Sequence, residues 1–222
     1  MKKNLLLIFA ATAIFASGCK KDSKKPTTDL SVADSYFPLT SASTWKYAVT
    51  GAGGSDTLAV KITGATTLIN GKTYYNATSV YQQMGSSIGY FFGANHLYGT
   101  RGSNAMAGLT IEFQFLNDTT AAGHKWISSP TETGEVNGVP ARTVNTIKEV
   151  NASKTVGGKI FSNVIHSRVD LQYNYGSGFE SAAIYDFYFA KGVGKIESAT
   201  TIYGSVYETE TIVSYHIAPM LL

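Results

Sequence analysis

Four side chains that could take part in chemistry lie close together near the end of the chain. Glu208, Glu210, Ser214 and His216 are two or four residues apart, so an extended strand would place them on one face. Two carboxylates on one face could serve as the catalytic pair of a glycosidase. An outer strand carries similar polar residues on its solvated face, and this second interpretation is the one that we expect.

A second candidate is the segment Gly85-Ser86-Ser87-Ile88-Gly89, which matches the pattern G-x-S-x-G. In serine hydrolases this pattern forms a sharp turn between a strand and a helix. Here Tyr90-Phe91-Phe92 follows, which is typical of a strand and not of a helix. We therefore interpret the segment as a glycine-serine hairpin loop and predict no catalytic serine.

The remaining residues with metal-binding or nucleophilic side chains are few. The four histidines, His96, His124, His166 and His216, show no spacing typical of a metal site, and Cys19 is the only cysteine. The sequence accordingly predicts no metal site, no cofactor and no catalytic residues. We expect a protein that is not an enzyme.

Cys19 lies at the boundary between an apolar segment and a basic one. Lys2 and Lys3 precede an apolar stretch from Leu5 to Phe15, as in a secretory signal, and this stretch is too short to span a bilayer core of about 30 Å. The residues Ala16-Ser17-Gly18-Cys19 resemble the lipobox of bacterial lipoproteins. The alternative is an ordinary signal peptide followed by an unmodified cysteine.

The lipobox resemblance implies that residues 1–18 are a removable signal peptide and that Cys19 becomes the first residue of the mature chain. Lipoproteins of this kind carry a diacylglyceryl group and often a third acyl chain, such as palmitate, on that cysteine. Two or more chains hold a protein stably on a membrane. Lipidation would leave the mature domain without any free cysteine.

The net charge of +3 arises from the basic residues beside the predicted anchor. From Asp34 onward there are 12 lysines and arginines against 13 carboxylates, which makes the predicted domain slightly acidic. This excludes the basic surface expected of a nucleic-acid-binding protein. Residues 19–33 are polar and contain Pro26, so we interpret them as a flexible lipid tether.

The rest of the chain, residues 34–222, shows the patterns of a single all-β domain with little helix. Apolar and polar residues alternate in segments 57–62, 110–115 and 168–175, which is typical of half-buried antiparallel strands. Asn70-Gly71 predicts a tight hairpin turn. Gly204-Ser205 predicts a second hairpin, between strands 196–203 and 206–217.

Two aromatic segments break this alternation. Tyr90-Phe91-Phe92 and Ile184–Phe189 are bulky on both faces, so both faces must be shielded from water. Either a second layer of protein or a ligand could cover them. We name as tentative ligand-binding residues Tyr90, Phe92, Tyr185, Phe187 and Tyr188.

The sequence also contains a weak internal similarity. Segment 71–80 aligns with segment 158–167 through a shared Gly-Lys, an aromatic residue at the fourth position and Asn at the sixth. Trp45 precedes the first segment and Trp126 the second. Two related halves would explain the match, and chance similarity between strand-and-turn compositions is the alternative.

A family resemblance adds to this interpretation. The chain combines Tyr36-Phe37-Pro38-Leu39, Ser43-Thr44-Trp45-Lys46-Tyr47, Asn70-Gly71-Lys72-Thr73-Tyr74-Tyr75 and the segment from Tyr188 to Glu197. In this it resembles uncharacterised outer-membrane lipoproteins of Bacteroidota and is loosely similar to lipoprotein-carrier-type proteins. The resemblance implies a strongly curved antiparallel sheet, or incomplete barrel. It assigns no functional residue.

Together these patterns predict a lipid-anchored envelope protein that binds or carries an apolar or amphipathic ligand. The alternative is a structural or adhesive subunit that binds an envelope protein or a glycan. The residues after Cys19 lack an acidic run, since Asp22 stands among four lysines. We therefore expect the outer membrane as the location, with the domain on its periplasmic face.

Overall fold

The structure, a computed structural model, describes residues 32–104 and 109–219. A short 3-10 turn, Val32–Asp34, precedes thirteen strands. The strands are β1 (Thr44–Gly51), β2 (Gly54–Ile69), β3 (Lys72–Tyr81), β4 (Gly85–Ala94), β5 (Leu97–Asn104), β6 (Leu109–Asn117), β7 (Lys125–Ser128), β8 (Glu135–Val136), β9 (Val139–Val156), β10 (Lys159–Asn174), β11 (Phe179–Ala190), β12 (Gly194–Ile202) and β13 (Ser205–His216).

Twelve strands form one antiparallel sheet in the order β6-β5-β4-β3-β2-β1-β13-β12-β11-β10-β9-β7, while β8 pairs only with β9. Each half of the sheet is a meander, and pairing of β1 with β13 joins the halves. The sheet curls strongly into a half-barrel, which confirms the predicted all-β, strongly curved fold. No helix among the described residues is long and apolar enough to cross a membrane.

Aromatic contacts across the interior close the curl. Phe113 and Phe115 on β6 face β11, where their ring centroids lie 4.8 Å from Tyr185 and 5.1 Å from Phe189 respectively. A backbone hydrogen bond of 2.8 Å from Glu112 to Pro130 links the β6 edge to the segment after β7. Since aromatic pairs at these distances stabilise beyond their buried area, these contacts hold the curled shape.

The segment before β1 fills one end of the interior. The ring of Phe37 lies edge-on to Phe91, Phe115 and Phe189, with centroid distances of 5.2, 5.3 and 5.9 Å. Burying such a side chain stabilises the fold by roughly 1.5–3 kcal/mol. The segment before β1 therefore closes this end of the interior with Phe37, and we call this segment the plug.

Two hairpins show how turn chemistry places the strands. Asn70 and Gly71 both have positive φ, 50° and 75°, which confirms the predicted tight turn. In the last hairpin the turn residues are Tyr203 and Gly204, at 47° and 81°, so the predicted Gly204-Ser205 turn is wrong by one residue. Because only the glycine is free of strain at positive φ, the preceding tyrosine gave no turn signal.

The two halves share a topology that matches the internal similarity. β1 with Trp45 pairs with β2, and β7 with Trp126 pairs with β9. Tyr74 and Phe161, the aromatic residues at the fourth position, are both buried. Of the two aligned asparagines, Asn76 and Asn163, only Asn163 has a positive φ. Common descent of the halves stays a prediction.

The predicted anchor lies outside the described residues. The signal peptide 1–18, Cys19 and tether residues 20–31 fall there, and the predicted domain boundary at residue 34 stays a prediction.

Candidate functional site

An aromatic cavity of about 80 Å³ lies inside the half-barrel. Side chains from the plug and from both meanders meet around it because the sheet curls. Its aromatic lining is Phe37, Trp45, Tyr47, Phe91, Phe115, Phe187 and Phe189. The cavity can therefore receive a small apolar group.

Lys195 gives this cavity a charged residue in its wall. Its ammonium group donates a hydrogen bond to Glu210 and lies 4.8 Å from the ring centroid of Tyr47. Ser198 Oγ donates a second hydrogen bond, of 3.3 Å, to the same carboxylate. The side chains of Lys195 and Glu210 are only 20% and 12% exposed. A partly buried ion pair thus faces an aromatic surface.

Glu208 lies next to this pair on the same face of β13. Glu208 and Glu210 are paired with Gly51 and Val49 of β1, on the side of the sheet where Tyr47 lines the cavity. Burial raises the pKa of Glu208, and repulsion from Glu210 raises it further. Burial raises the pKa of Tyr81, and the negative charges of Glu210, Glu208 and Asp56 raise it further. The end of the half-barrel beside the ion pair therefore carries further negative charge.

This arrangement corrects the interpretation of β13 as an outer strand with a solvated polar face. β13 is central, because it pairs with both β1 and β12. A bulge that leaves Val213 unpaired shifts the register between Lys46 and Tyr47. Since the shift reverses the direction of side chains, Ser214 and His216 lie on the face opposite to the two glutamates. The four residues do not form one group.

Among the tentative ligand-binding residues, two lie inside. Phe187 lines the cavity, and Tyr185 lies beside it with a centroid distance of 6.4 Å between their rings. Tyr185 also contacts Phe113, and burial raises the pKa of its hydroxyl. Ligand contact by either residue stays a prediction.

The other three lie on the opposite face of the sheet, in two places. Tyr90 and Phe92 pack edge-on against Tyr74, at centroid distances of 6.4 and 5.8 Å. Tyr188 stacks on His166 at 4.3 Å, on the other meander. The structure thus does not bring the five residues into one site.

Strand alternation explains this division, since each aromatic run sends neighbouring residues to opposite faces. Phe91 and Phe189 are the members of the two runs that join Phe187 at the cavity. Lys195 and the plug residue Phe37 gave no sequence signal, because their partners lie on other strands and are at least 15 residues away in the chain.

The G-x-S-x-G segment begins β4, after a turn at residues 82–84. The hairpin-loop interpretation is therefore wrong for these residues, because Gly85 to Gly89 pair with β3 and the turn comes before them. No group of three metal-ligating side chains occurs among the residues that the structure describes.

Comparison with known proteins gives little further information. No family model matches the chain, and no curated protein matches it. The chain is similar in structure to a protein from Parabacteroides distasonis described as a lipoprotein, with 10% identity and a TM-score of 0.44 over 82% of this chain and 98% of that one. It is also similar to a protein from Bacteroides fragilis described as exported, with a YmcC-like fold.

The second similarity has 8% identity and a TM-score of 0.43, over 81% of this chain and 98% of that one. Both proteins come from Bacteroidota. At these values no residue role transfers to this chain. Similarity to lipoprotein carriers stays a prediction.

Proposed function

We propose that this chain is a lipid-anchored envelope protein that binds a small apolar or amphipathic ligand inside its half-barrel. The observation that supports this best is the aromatic cavity with Lys195 in its wall. Apolar lining with a few fixed polar groups is the usual composition of a ligand site. We propose a binding protein and not an enzyme.

The size of the cavity restricts the ligand. Its volume of about 80 Å³ is well below the roughly 300–1,000 Å³ of sites that enclose a drug-sized molecule. The proposed ligand is therefore either a small molecule or one that inserts a single apolar group.

A titration tests the proposal. The full lipoprotein in lipid nanodiscs is titrated with N-phenyl-1-naphthylamine while energy transfer from Trp45, which lines the cavity, is recorded. We expect a saturable signal that Thr100→Phe, which fills the cavity from its wall, abolishes. Val80→Phe, at an exposed position of β3, is the matched control and should leave the signal intact. An equal signal from all three proteins would mean that the probe binds only lipid.

A second candidate is a structural or adhesive subunit that binds an envelope protein or a glycan. The well-filled interior favours it, because Phe37 and its ring partners occupy much of the space that a carrier would keep open. If the correctly folded wild-type protein gives no saturable cavity signal, the result favours this second candidate.

We further propose that the domain lies on the periplasmic face of the outer membrane. This rests on the lysines that follow Cys19 and on the lack of an acidic run there. Protease digestion of intact cells should leave the domain whole and should remove it only after the outer membrane is opened.

A further inference from the structure

Four turns at one end of the half-barrel carry a group of exposed apolar side chains. The turns are segments 51–56, 82–86, 174–181 and 202–208, which we call the rim. The exposed residues on it are Met84, Tyr175, Phe179, Tyr203, Val206 and Tyr207. Tyr203, at 83% exposure, lies at the tip of its turn. Clustered exposed apolar residues of this kind mark interaction sites.

Contacts between the turns make the rim one surface. Ala52 donates a backbone hydrogen bond of 3.0 Å to Tyr207, which joins the β1–β2 turn to β13. The backbone of Gln83 donates to the carboxylate of Asp56 at 3.3 Å, which joins the β3–β4 turn. Tyr203 donates a backbone hydrogen bond of 3.4 Å to Ala182 near the start of β11, so the β12–β13 and β10–β11 turns are neighbours too.

The composition of the rim resembles that of a protein-binding surface. Glycine, serine and tyrosine dominate it, and antibody paratopes also use these residues because they combine rigid aromatic contacts with adaptable hydrogen bonds. Its four segments contain no lysine or arginine, but they contain the carboxylates Asp56, Glu180 and Glu208. The guanidinium of Arg142 on β9 lies 4.2 Å from the ring centroid of Phe179, so the uncompensated negative charge is that of the part of the rim with Asp56 and Glu208. A partner with basic side chains would complement this charge.

A pocket of about 130 Å³ opens in the rim, separate from the aromatic cavity. The β1–β2 turn, Gln83, Met84, Tyr207 and Glu208 line it. Asp56 in its wall accepts backbone hydrogen bonds from Thr57 and Gln83, and no described residue donates one to Glu208. The pocket therefore presents one carboxylate that lacks a donor.

The rim lies at the end of the half-barrel opposite to the entry of the chain. Asp34 forms an ion pair of 3.0 Å with Lys191, and Gly192 donates a backbone hydrogen bond of 2.8 Å to Ser35. Both contacts are made at the β11–β12 turn, which antiparallel pairing places at the end opposite to the β12–β13 turn. Because the proposed tether joins the domain near this turn, the rim lies at the end of the domain away from the tether.

We propose that the rim is a docking site for a basic protein surface, with an arginine or lysine side chain of the partner entering the pocket beside Glu208. The aromatic residues of the rim then cover the stem of that side chain, and the carboxylate receives its hydrogen bonds. The proposal uses the anchor only for orientation and does not depend on whether the aromatic cavity holds a ligand.

A peptide selection tests this. The full lipoprotein in nanodiscs is presented to a phage library of random dodecapeptides. We expect the selected peptides to contain arginine or lysine and to bind about tenfold less tightly to Glu208→Gln, and to weaken as sodium chloride rises from about 0.05 to 0.5 M. Tyr203→Asn, which suits the positive φ of that turn, should weaken binding as well.

The matched controls lie away from the rim. Glu149→Gln and Tyr215→Ser change exposed residues elsewhere on the sheet and should bind the peptides as the wild type does. Selected peptides without basic residues, equal binding to Glu208→Gln, or no enrichment would overturn the proposal. Saturable binding of neutral oligosaccharides in place of basic peptides would also overturn it, because the rim would then be a carbohydrate-binding site.

Discussion

Lys195 and Glu210 form an ion pair inside the half-barrel, on adjacent strands and against the ring of Tyr47. A charge removed from water is stabilised mainly by its partner, so loss of one member leaves the other uncompensated. The pair therefore links β12 to β13 on the cavity side.

Removal of one member should destabilise the fold. We expect Lys195→Met to lower the free energy of unfolding by about 2 kcal/mol, below the range for fully buried pairs because both side chains keep some exposure. The double variant with Glu210→Gln should lose less than the sum of the single losses, as measured by urea unfolding. Additive losses would show that the two side chains do not interact.

Glu208 should make stability depend on pH in the opposite direction to a salt-bridged carboxylate. Its pKa in the folded protein is raised above the ordinary value of 4.5, first by burial and then by Glu210. The folded state thus binds the proton more tightly, and its contribution to stability is present below pH 4.5 and is lost as pH rises through the raised value. Glu208→Gln should remove this loss.

Urea midpoints measured between pH 4 and 8 check this prediction, with Glu149→Gln as the exposed control. As pH rises through the lower part of this range, the urea midpoints of the wild type and the control should fall more than that of Glu208→Gln. Parallel pH profiles for all three proteins would mean that Glu208 titrates as a solvated side chain.

Gly194 is needed where the β11–β12 turn meets Trp45. Its φ is 101°, and a Cβ atom would lie 3.2 Å from Trp45 Nε1, which donates a hydrogen bond of 2.7 Å to Val193. We expect Gly194→Ala to destabilise by about 2–3 kcal/mol through backbone strain and this contact. Gly53→Ala, at an open position with nothing within 4 Å, should have little effect in thermal unfolding. Equal effects of the two would contradict this role.

The sequence predicted the fold class because local patterns determine it. Alternating segments such as 168–175 and the Asn70-Gly71 turn depend on residues adjacent in the chain, and the structure confirms strands and turn there. The faces of β13 could not be predicted, because the bulge at Val213 depends on pairing with β1. An unmarked bulge reverses every following side chain.

The candidate site was less predictable than the fold. The aromatic runs indicate shielded strands, but the sequence does not show which members face inward. The predicted set therefore contains Tyr90, Phe92 and Tyr188 but lacks Phe91 and Phe189, which line the cavity. The plug by Phe37 joins the segment before β1 to β4, β6 and β11. Contacts between such distant segments leave no periodic signal in a sequence.

The proposed place of this protein in the cell envelope depends on the lipid anchor, so the decisive measurement is the modification at Cys19. Mass spectrometry of the mature protein extracted from membranes should show Cys19 as the first residue, with a diacylglyceryl group on its sulfur. Cys19→Ser should give a soluble or uncleaved protein, because one serine cannot supply the membrane affinity of two acyl chains. An unmodified Cys19, or a processed Cys19→Ser variant that still partitions into membranes like the wild type, would show that Cys19 is not the lipid anchor.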